Sequence, residues 1–162
     1  MLPSNVQYLK GDIFSHTDKW DIMCHQTNCQ GAFGRGIAAT VASKYPRVKE
    51  AYVELVAMKD NKKDLLGTAQ LCAIDNDKYI VNLFGQFNYG MQPNVVYTDY
   101  DAFDKALEMV ANYAIGLGLN RIAFPYKIGC GLANGDWSTI ESYICKLGNK
   151  YKQLNIIIFI LQ

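Results

Sequence analysis

The sequence predicts an α/β domain with a mostly parallel or mixed sheet between two layers of helices. Short runs rich in β-branched and aromatic residues alternate along the chain with segments whose apolar residues recur at helical spacing. Of the 162 residues, 50% are hydrophobic and 19% are charged, a balance typical of a chain that builds a packed core. The length, together with the lack of any linker, repeat or low-complexity segment, indicates one domain over residues 1–162.

The first part of the chain carries two predicted strands followed by two predicted helices. Residues 6–10 alternate and stop at Gly11-Asp12, and residues 22–27 form a second short β-rich run. Helices are expected over 37–44, which ends before Pro46, and over 47–59, where apolar residues fall on one helical face.

The second part repeats this alternation of strand and helix. Residues 68–74 and 79–84 are β-rich runs joined by a turn cluster, and a long loop leads to a helix with Thr98 or Asp99 as N-cap. Residues 121–125 are a short buried strand. A capping-box pattern that begins at Ser138 predicts a further helix to about residue 151. The continuous apolar run 155–161 predicts a strand covered on both faces.

Charge and cysteine content exclude several classes of protein. Lys and Arg number 16 against 15 Asp and Glu, so bulk nucleic-acid binding is not expected. The 11 Tyr and seven Phe would suit an RNA-binding module, but no Lys or Arg lies between Phe84 and Lys105.

The longest apolar run is too short to span a membrane, and no secretory signal is visible. The five scattered cysteines favour a reduced, cytoplasmic protein, with neither a metal site nor a cofactor expected.

Two glycine-rich loops each follow a predicted strand and precede a predicted helix. The first glycine loop is NCQGAFGRGI at 28–37, and the second is GCGLANGD at 129–136. Glycines let backbone N–H groups approach a ligand, and the N-terminus of the following helix adds partial positive charge, so both loops suit phosphate. The first loop matches neither the dinucleotide fingerprint nor the P-loop. A tight turn that needs positive φ is the alternative for either loop alone, but two such loops could hold a diphosphate between them.

Three segments in this order resemble the macrodomain family: GDIF near the start, HQTNCQGAFGRGIA and PYKIGCGLANGDW. The resemblance is to the branch that contains terminal ADP-ribose glutamate hydrolases and thymidine-ADP-ribose-reversing antitoxins, and it covers nearly the whole chain. It implies a three-layer α/β/α sandwich with a mixed, about six-stranded sheet. It also implies that ADP-ribose, free or attached to a substrate, binds in a cleft over the strand ends.

The same resemblance implies contacts to the adenine and to the sugar at the other end of the ligand. Asp12 matches the position that binds the adenine amino group, with a backbone contact from Ile13, although an Asp after Gly can equally be a turn residue or an N-cap. Phe159 aligns with an aromatic position near the adenine, with core packing as the alternative. Asn28 corresponds to a residue near the distal ribose and is counted among the catalytic candidates.

Contacts to the diphosphate are implied for both glycine loops. Lys127 is the nearest basic residue that could substitute for the catalytic lysine of the related hydrolases, and a phosphate neighbour or a solvent-facing side chain is the alternative. The residues implied are Gly34, Arg35, Gly36 and Ile37 in the first loop and Gly129, Cys130, Gly131 and Leu132 in the second.

The catalytic residues of the related hydrolases are not matched. Their lysine follows the strand predicted at 79–84, where Gln86 stands nearest, and their aspartate follows GCGL, where Ala133 stands. His25 resembles a histidine of a macrodomain branch that removes the 1''-phosphate of ADP-ribose, and a buried strand histidine is the alternative. Asp136 could orient water near the distal ribose, and it could instead be the N-cap of the next helix.

Three functions are therefore expected to compete. The first is a mono-ADP-ribosyl hydrolase, the second an ADP-ribose 1''-phosphate phosphatase that uses His25, and the third a non-catalytic reader of ADP-ribose. The unmatched lysine and aspartate favour the second and third. A chain with no attached domain favours an enzyme over a reader.

Overall fold

The strands and helices lie close to where the hydrophobic pattern predicts them. A computed structural model describes residues 1–161. The strands are β1 (Val6–Lys10), β2 (Ile22–Thr27), β3 (Ala69–Asp75), β4 (Lys78–Phe84), β5 (Arg121–Pro125) and β6 (Asn155–Ile160). The helices are α1 (Ile37–Lys44), α2 (Pro46–Met58), α3 (Tyr100–Leu117) and α4 (Trp137–Lys150).

The six strands form one mixed sheet with the order β1-β6-β5-β2-β4-β3. Strand β3 pairs antiparallel with β4, and every other pairing is parallel. The mixed sheet between helices is therefore confirmed.

Side chains that alternate along the strands divide the core into two layers. On β2, Ile22 and Cys24 pack with α3 and α4, whereas Met23 faces α2 on the other side of the sheet. The apolar run of β6 is explained in the same way, because Ile156 contributes to one layer and Ile157 to the other. Helices α1 and α2 cover one face of the sheet, and α3 and α4 cover the other.

Capping side chains decide where two helices begin. Asp99 caps α3 by accepting a hydrogen bond from the Ala102 amide at 3.0 Å. Asp136 caps α4 by accepting one from the Thr139 amide at 3.0 Å, so the capping box expected at Ser138 is wrong. The carboxylate is the better-placed acceptor, and the Ser138 hydroxyl itself donates to Asp136.

Two further features lie outside the predicted strands and helices. Three short 3-10 turns, which the sequence pattern did not predict, cover Ile13–Ser15, Thr17–Lys19 and Lys62–Leu65. Within residues 1–161, no helix is both long enough and apolar enough to cross a membrane.

Three neighbouring strands end at the same edge of the sheet. Strands β5, β2 and β4 are adjacent and parallel, so the loops that leave Pro125, Thr27 and Phe84 start side by side. Crevices outside the carboxyl ends of strands are where α/β sheets bind ligands.

Candidate functional site

A cleft of about 790 Å³ lies over the ends of β5, β2 and β4. Its walls are the first glycine loop after β2, the segment that follows β5 into the second glycine loop, and the loop after β4. We call this last loop, residues 86–98, the strap. The volume falls in the range of small-molecule sites. The lining residues are Gln26, Thr27, Asn28, Ala32, Phe33, Gly34, Arg35, Gly36, Ile37, Ala38, Gln86, Tyr89, Gly90, Met91, Pro125, Tyr126, Lys127, Ile128, Gly129, Gly131, Leu132 and Ala133.

Asn28 organises the first glycine loop. Its Oδ1 accepts hydrogen bonds from the amides of Gln30 at 2.9 Å and Ala32 at 3.3 Å, and its Nδ2 donates to the Ala32 carbonyl at 2.8 Å. The Tyr52 hydroxyl lies 2.6 Å from the Asn28 carbonyl oxygen and accepts from the Gly31 amide at 3.1 Å. Because these bonds use most of the amide group, Asn28 shapes the loop and leaves one N–H of Nδ2 for a ligand.

The N-terminus of α1 opens into the cleft without a capping side chain. Its N-cap is Gly36, whose φ of 56° is in the left-handed region that glycine tolerates. Gly36, Ile37 and Ala38 all line the cleft. The first amides of a helix lack intrahelical acceptors and carry partial positive charge, so this end of α1 is suited to an anion.

The second glycine loop is fixed by close contacts around Gly129. Its φ is 75°, and a Cβ there would lie 2.9 Å from Gln26 Oε1. The Thr98 hydroxyl donates to the Gly129 carbonyl at 2.6 Å, and the Gly135 amide donates to the same oxygen at 2.9 Å. Turn geometry and close packing therefore explain the glycine at 129, and this was the alternative to a purely ligand-binding role.

Gln26, near the end of β2, links the strap to the second glycine loop at the floor of the cleft. Its Nε2 donates to Gln86 Oε1 at 2.8 Å and to Thr98 Oγ1 at 2.9 Å, and Thr98 in turn holds Gly129. Gln86 stands where the related hydrolases were expected to carry lysine, and it lines the cleft as an amide. An amide cannot act as an amine nucleophile, so Gln86 cannot take the role of that lysine.

The strap is held at both of its ends and in its middle. Its Phe87 carbonyl accepts from the Cys29 amide at 3.0 Å, and Asn134 Nδ2 donates to the carbonyls of Gln92 and Val95. In the middle, Arg35 Nη1 lies 2.7 Å from Met91 Sδ. The strap therefore bridges the two glycine loops.

His25 was expected at the reacting group, and its side chain does not line the cleft. The residue is 0% exposed on the α2 side of β2. Its Nε2 lies 2.5 Å from Asn82 Oδ1, and its ring meets Phe33 edge-on at 5.3 Å. Burial lowers the pKa of the imidazole from 6.5 to about 4, so the ring is neutral at pH 7. His25 is the buried strand histidine that was the alternative.

Asp136 was expected near the distal ribose, and its carboxylate caps α4 in the structure. One oxygen accepts from the Ser138 hydroxyl, the Thr139 hydroxyl and the Thr139 amide. These hydrogen bonds hold its pKa below the ordinary value. Asp136 does not line the cleft, and the N-terminus of α4 already faces a carboxylate of its own chain. Of the two helix N-termini expected to serve an anion, the one that opens into the cleft is that of α1.

The residues expected near the adenine do not line the cleft either. Asp12 accepts a hydrogen bond from the Phe14 amide at 3.0 Å and caps a 3-10 turn, as one alternative proposed. Ile13 is 5% exposed and Phe159 is 3% exposed, and both belong to the core layer under α1 and α2. Phe159 packs against His16 at 5.7 Å between ring centroids.

Most residues expected at the diphosphate do lie together in the cleft. They are Gly34, Arg35, Gly36 and Ile37 from the first loop and Gly129, Gly131 and Leu132 from the second. Cys130 does not line the cleft. Burial raises the pKa of its thiol to about 11, so the side chain stays protonated at pH 7.

The charged groups of the cleft are all cationic. Arg35 and Lys127 line it, whereas none of its lining residues in the described part of the chain is Asp, Glu or His. The cleft therefore favours an anionic ligand and supplies no carboxylate or imidazole for proton transfer.

Sequence reasoning missed several cleft residues, chiefly Gln26, Tyr126 and Met91. Gln26 sits in the HQTN segment at the end of β2, where a polar residue next to a glycine loop was a usable signal. Tyr126 and Met91 carry no such signal, because their role depends on which loops meet in space.

The comparisons with known proteins assign the family. No family model matches the chain. A curated ADP-ribose 1''-phosphate phosphatase from Lodderomyces elongisporus is 33% identical over 150 residues, covering 88% of this chain and 92% of the relative. A macrodomain protein from Streptomyces coelicolor has a TM-score of 0.72 at 25% identity, over 97% of this chain and 98% of that one. This chain belongs to the macrodomain family.

Another solved structure shares the same fold with this macrodomain. A Bacteroides thetaiotaomicron protein of unknown function superposes with a TM-score of 0.83 at 26% identity, over 96% of this chain and 97% of that one. The fold class expected from the sequence, a three-layer macrodomain sandwich, is confirmed.

Proposed function

We propose that this macrodomain binds ADP-ribose and hydrolyses ADP-ribose 1''-phosphate to ADP-ribose and phosphate. The observation that carries the proposal is the composition of the cleft. The cleft is lined by the first glycine loop, the uncapped N-terminus of α1, Arg35 and Lys127. No carboxylate lines it within residues 1–161. The name of the 33%-identical relative supports the choice of reaction.

The diphosphate of the ligand would lie between the two glycine loops. Amides from Gly34 to Ile37 would donate to one phosphate, with Arg35 as the mobile cation beside them. Residues Gly129 to Leu132 would close the other side through their backbone, since the Cys130 thiol turns away. The free N–H of Asn28 would donate to a hydroxyl of the distal ribose.

Catalysis would depend on the substrate for proton transfer, because no carboxylate or imidazole lines the cleft of the described chain. A water oxygen attacks the phosphorus of the 1''-phosphate, and the bond from phosphorus to the C1'' oxygen breaks. One water proton passes by way of a phosphate oxygen to the C1'' oxygen, which leaves as the hydroxyl of ADP-ribose. The protein contributes orientation and charge stabilisation by amides and cations.

Binding is the first test of this proposal. Calorimetry with free ADP-ribose should give a dissociation constant on the order of micromolar or below. No heat at millimolar ligand would contradict the assignment.

The reaction is the second test. Purified protein is incubated separately with ADP-ribose 1''-phosphate, glutamate-linked ADP-ribose and thymidine-linked ADP-ribose, and products are separated by chromatography. Phosphate release from the first substrate is expected. His25→Ala and Asp136→Ala should keep the catalytic rate constant of the folded protein, because neither side chain reaches the cleft. Cleavage of a linked substrate alone would instead favour the mono-ADP-ribosyl hydrolase.

A non-catalytic reader is the second candidate, and the lack of a carboxylate or imidazole among the cleft residues of the described chain favours it. Tight binding of ADP-ribose together with no product from any of the three substrates would support the reader.

We also propose a reducing, cytoplasmic location, which the free state of all five cysteines supports.

A further inference from the structure

Met91 is an exposed methionine whose sulfur atom contacts a cation of the cleft. It belongs to the strap, lines the cleft and is 62% exposed. Its Sδ lies 2.7 Å from Nη1 of Arg35 in the first glycine loop, and Arg35 is exposed as well. Of the five methionines, which all lie within residues 1–161, Met91 is the one that lines the cleft. Small solutes can therefore reach a sulfur atom that is in contact with a guanidinium group.

The contact with Met91 holds Arg35 only weakly. A thioether sulfur is a weak acceptor, whereas a phosphate oxygen forms a charge-assisted hydrogen bond with a guanidinium. None of the ion pairs within residues 1–161 includes Arg35. The other cation of the cleft, Lys127, has its ammonium 5.6 Å from the centroid of the Tyr126 ring. The free energy needed to move Arg35 from Met91 to a ligand phosphate is therefore small.

Oxidation of the Met91 sulfur changes the strength of this contact. Hydrogen peroxide transfers one oxygen atom to Sδ, the sulfur gives up an electron pair to form the S–O bond, and the peroxide is reduced to water. The resulting sulfoxide is polar, and its oxygen accepts hydrogen bonds much better than a thioether sulfur does. A guanidinium that donates to this oxygen makes a charge-assisted hydrogen bond, which a ligand phosphate then has to displace.

We propose that Met91 is an oxidation site at which peroxide lowers the affinity of the cleft for ADP-ribose. The sulfoxide oxygen accepts a hydrogen bond from the Arg35 guanidinium and keeps it at the strap, away from the diphosphate. This inference rests on the proposed binding of ADP-ribose, in which Arg35 is the mobile cation beside the phosphates. Because one exposed hydrogen bond to the ligand is weakened, the affinity should fall by about 3- to 10-fold.

Other sulfur atoms of the chain provide the controls for this proposal. Met58 is 78% exposed at the end of α2 and does not line the cleft, so its oxidation should leave the affinity unchanged. Met23 is fully buried in the core. Burial raises the pKa of all five cysteine thiols, so they stay protonated at pH 7 and react slowly with peroxide.

The test compares the affinity for ADP-ribose before and after oxidation, measured by calorimetry. Wild type, Met91→Leu, Met58→Leu and Arg35→Ala are treated with hydrogen peroxide and then with dithiothreitol, which restores oxidised cysteines, and mass spectrometry quantifies the sulfoxide at each methionine. Oxidised wild type and oxidised Met58→Leu should bind about 3- to 10-fold more weakly than their untreated forms. Oxidised Met91→Leu and oxidised Arg35→Ala should bind as their own untreated forms do. Methionine sulfoxide reductases of both stereospecificities should restore the affinity of wild type.

The outcomes separate this inference from the proposed function. If oxidised wild type keeps its affinity although Met91 is converted, or if Met91→Leu remains sensitive to peroxide, the inference is refuted while the binding of ADP-ribose stands. It is also refuted if peroxide oxidises Met58 and spares Met91. If oxidised Arg35→Ala loses affinity as wild type does, the sulfoxide does not act through the guanidinium and the inference is wrong. If untreated wild type does not bind ADP-ribose, the proposed function fails and the inference fails with it.

Discussion

Replacing His25 by Gln should make folding less sensitive to acid. His25 is fully buried between the Phe33 ring and Asn82, and the causes that shift its pKa are burial and the bond to Asn82. No carboxylate of the described chain is among those causes, so nothing nearby compensates a positive charge on the ring. His25→Gln removes the titrating group and keeps an N–H that can donate to Asn82.

The expected magnitude follows from the displaced pKa. The pKa of His25 is about 4 in the folded protein, against 6.5 for an exposed histidine. Between these values the unfolded chain binds a proton that the folded chain does not, so the free energy of unfolding decreases as pH falls from about 6.5 to 4. The decrease has a limiting slope of about 1.4 kcal/mol per pH unit and totals about 3 kcal/mol. That loss is a large fraction of the stability of a typical domain.

Urea unfolding at half-unit steps between pH 4 and 7.5 measures this slope. Carboxylates that lose their charge in acid, such as Asp21 with its lowered pKa, change the free energy of unfolding equally in wild type and His25→Gln. Their effect therefore cancels in the difference between the two proteins. His16→Gln is the matched control, since His16 is the other histidine of the chain and is half-buried against the Phe159 ring, whereas His25 is fully buried. With two histidines, the imidazole proton resonances also give the pKa of His25 directly.

The reasoning is refuted if wild type and His25→Gln have the same dependence of stability on pH between 4 and 6.5. It is also refuted if the resonance of His25 titrates near 6.5 in the folded protein. In either case the ring would be reached by water, and a role in proton transfer would again be open.

Four further predictions concern the loops and the cap. Asp136→Ala should lower the melting temperature by a few degrees and leave the affinity for ADP-ribose unchanged; a large loss of affinity would place Asp136 at the ligand. Gly129→Ala should weaken ADP-ribose binding and lower the melting temperature, because Gly129 has a φ of 75° and Gln26 lies against it. Gly131→Ala is the control and should not lower the melting temperature, because a Cβ at that position meets nothing within 4 Å. Equal melting temperatures for the two variants would contradict this reasoning. Tyr52→Phe removes the hydroxyl that holds the first glycine loop, so calorimetry should show at least a several-fold loss of affinity for ADP-ribose. An unchanged affinity would show that Asn28 alone is sufficient to hold the loop. Raising salt from 50 to 200 mM should weaken ADP-ribose binding less than about tenfold, because few cations contact the ligand; a loss of a thousandfold would indicate a polyanion site.

The strands were predictable to within one residue because each carries its own apolar run. The run at 155–161 exceeds the observed β6 by one residue, and α2 begins at Pro46, where proline suits the first turn of a helix. The short 3-10 turns were not predictable, since they depend on local bonds such as that between Asp12 and the Phe14 amide. A pattern of hydrophobicity carries no information on such bonds.

The position of the two glycine loops was predictable from the sequence, and the side chains around them were not. Glycines after a strand and before a helix indicate a loop wherever the strand sits in the sheet. In contrast, His25 and Gln26 are neighbours in the chain, and the side of β2 that each one faces decides its role. His25 points to the core under α2, whereas Gln26 points to the cleft floor. Because His25 and Gln26 are both polar, the sequence does not show which of the two side chains faces the cleft.

The two glycine loops differ most in how the following helix is capped. Both precede a helix, so both appear equally suited to phosphate in the sequence. Helix α4 has the carboxylate of Asp136 at its N-cap, and that charge already satisfies the amides and partial positive charge that an incoming anion would need. Helix α1 has Gly36, which offers no side-chain acceptor and leaves its first amides open to the cleft. The identity of the N-cap residue therefore distinguishes the two loops in the sequence, because the loop before α1 leaves open the helix amides that the proposed diphosphate site uses.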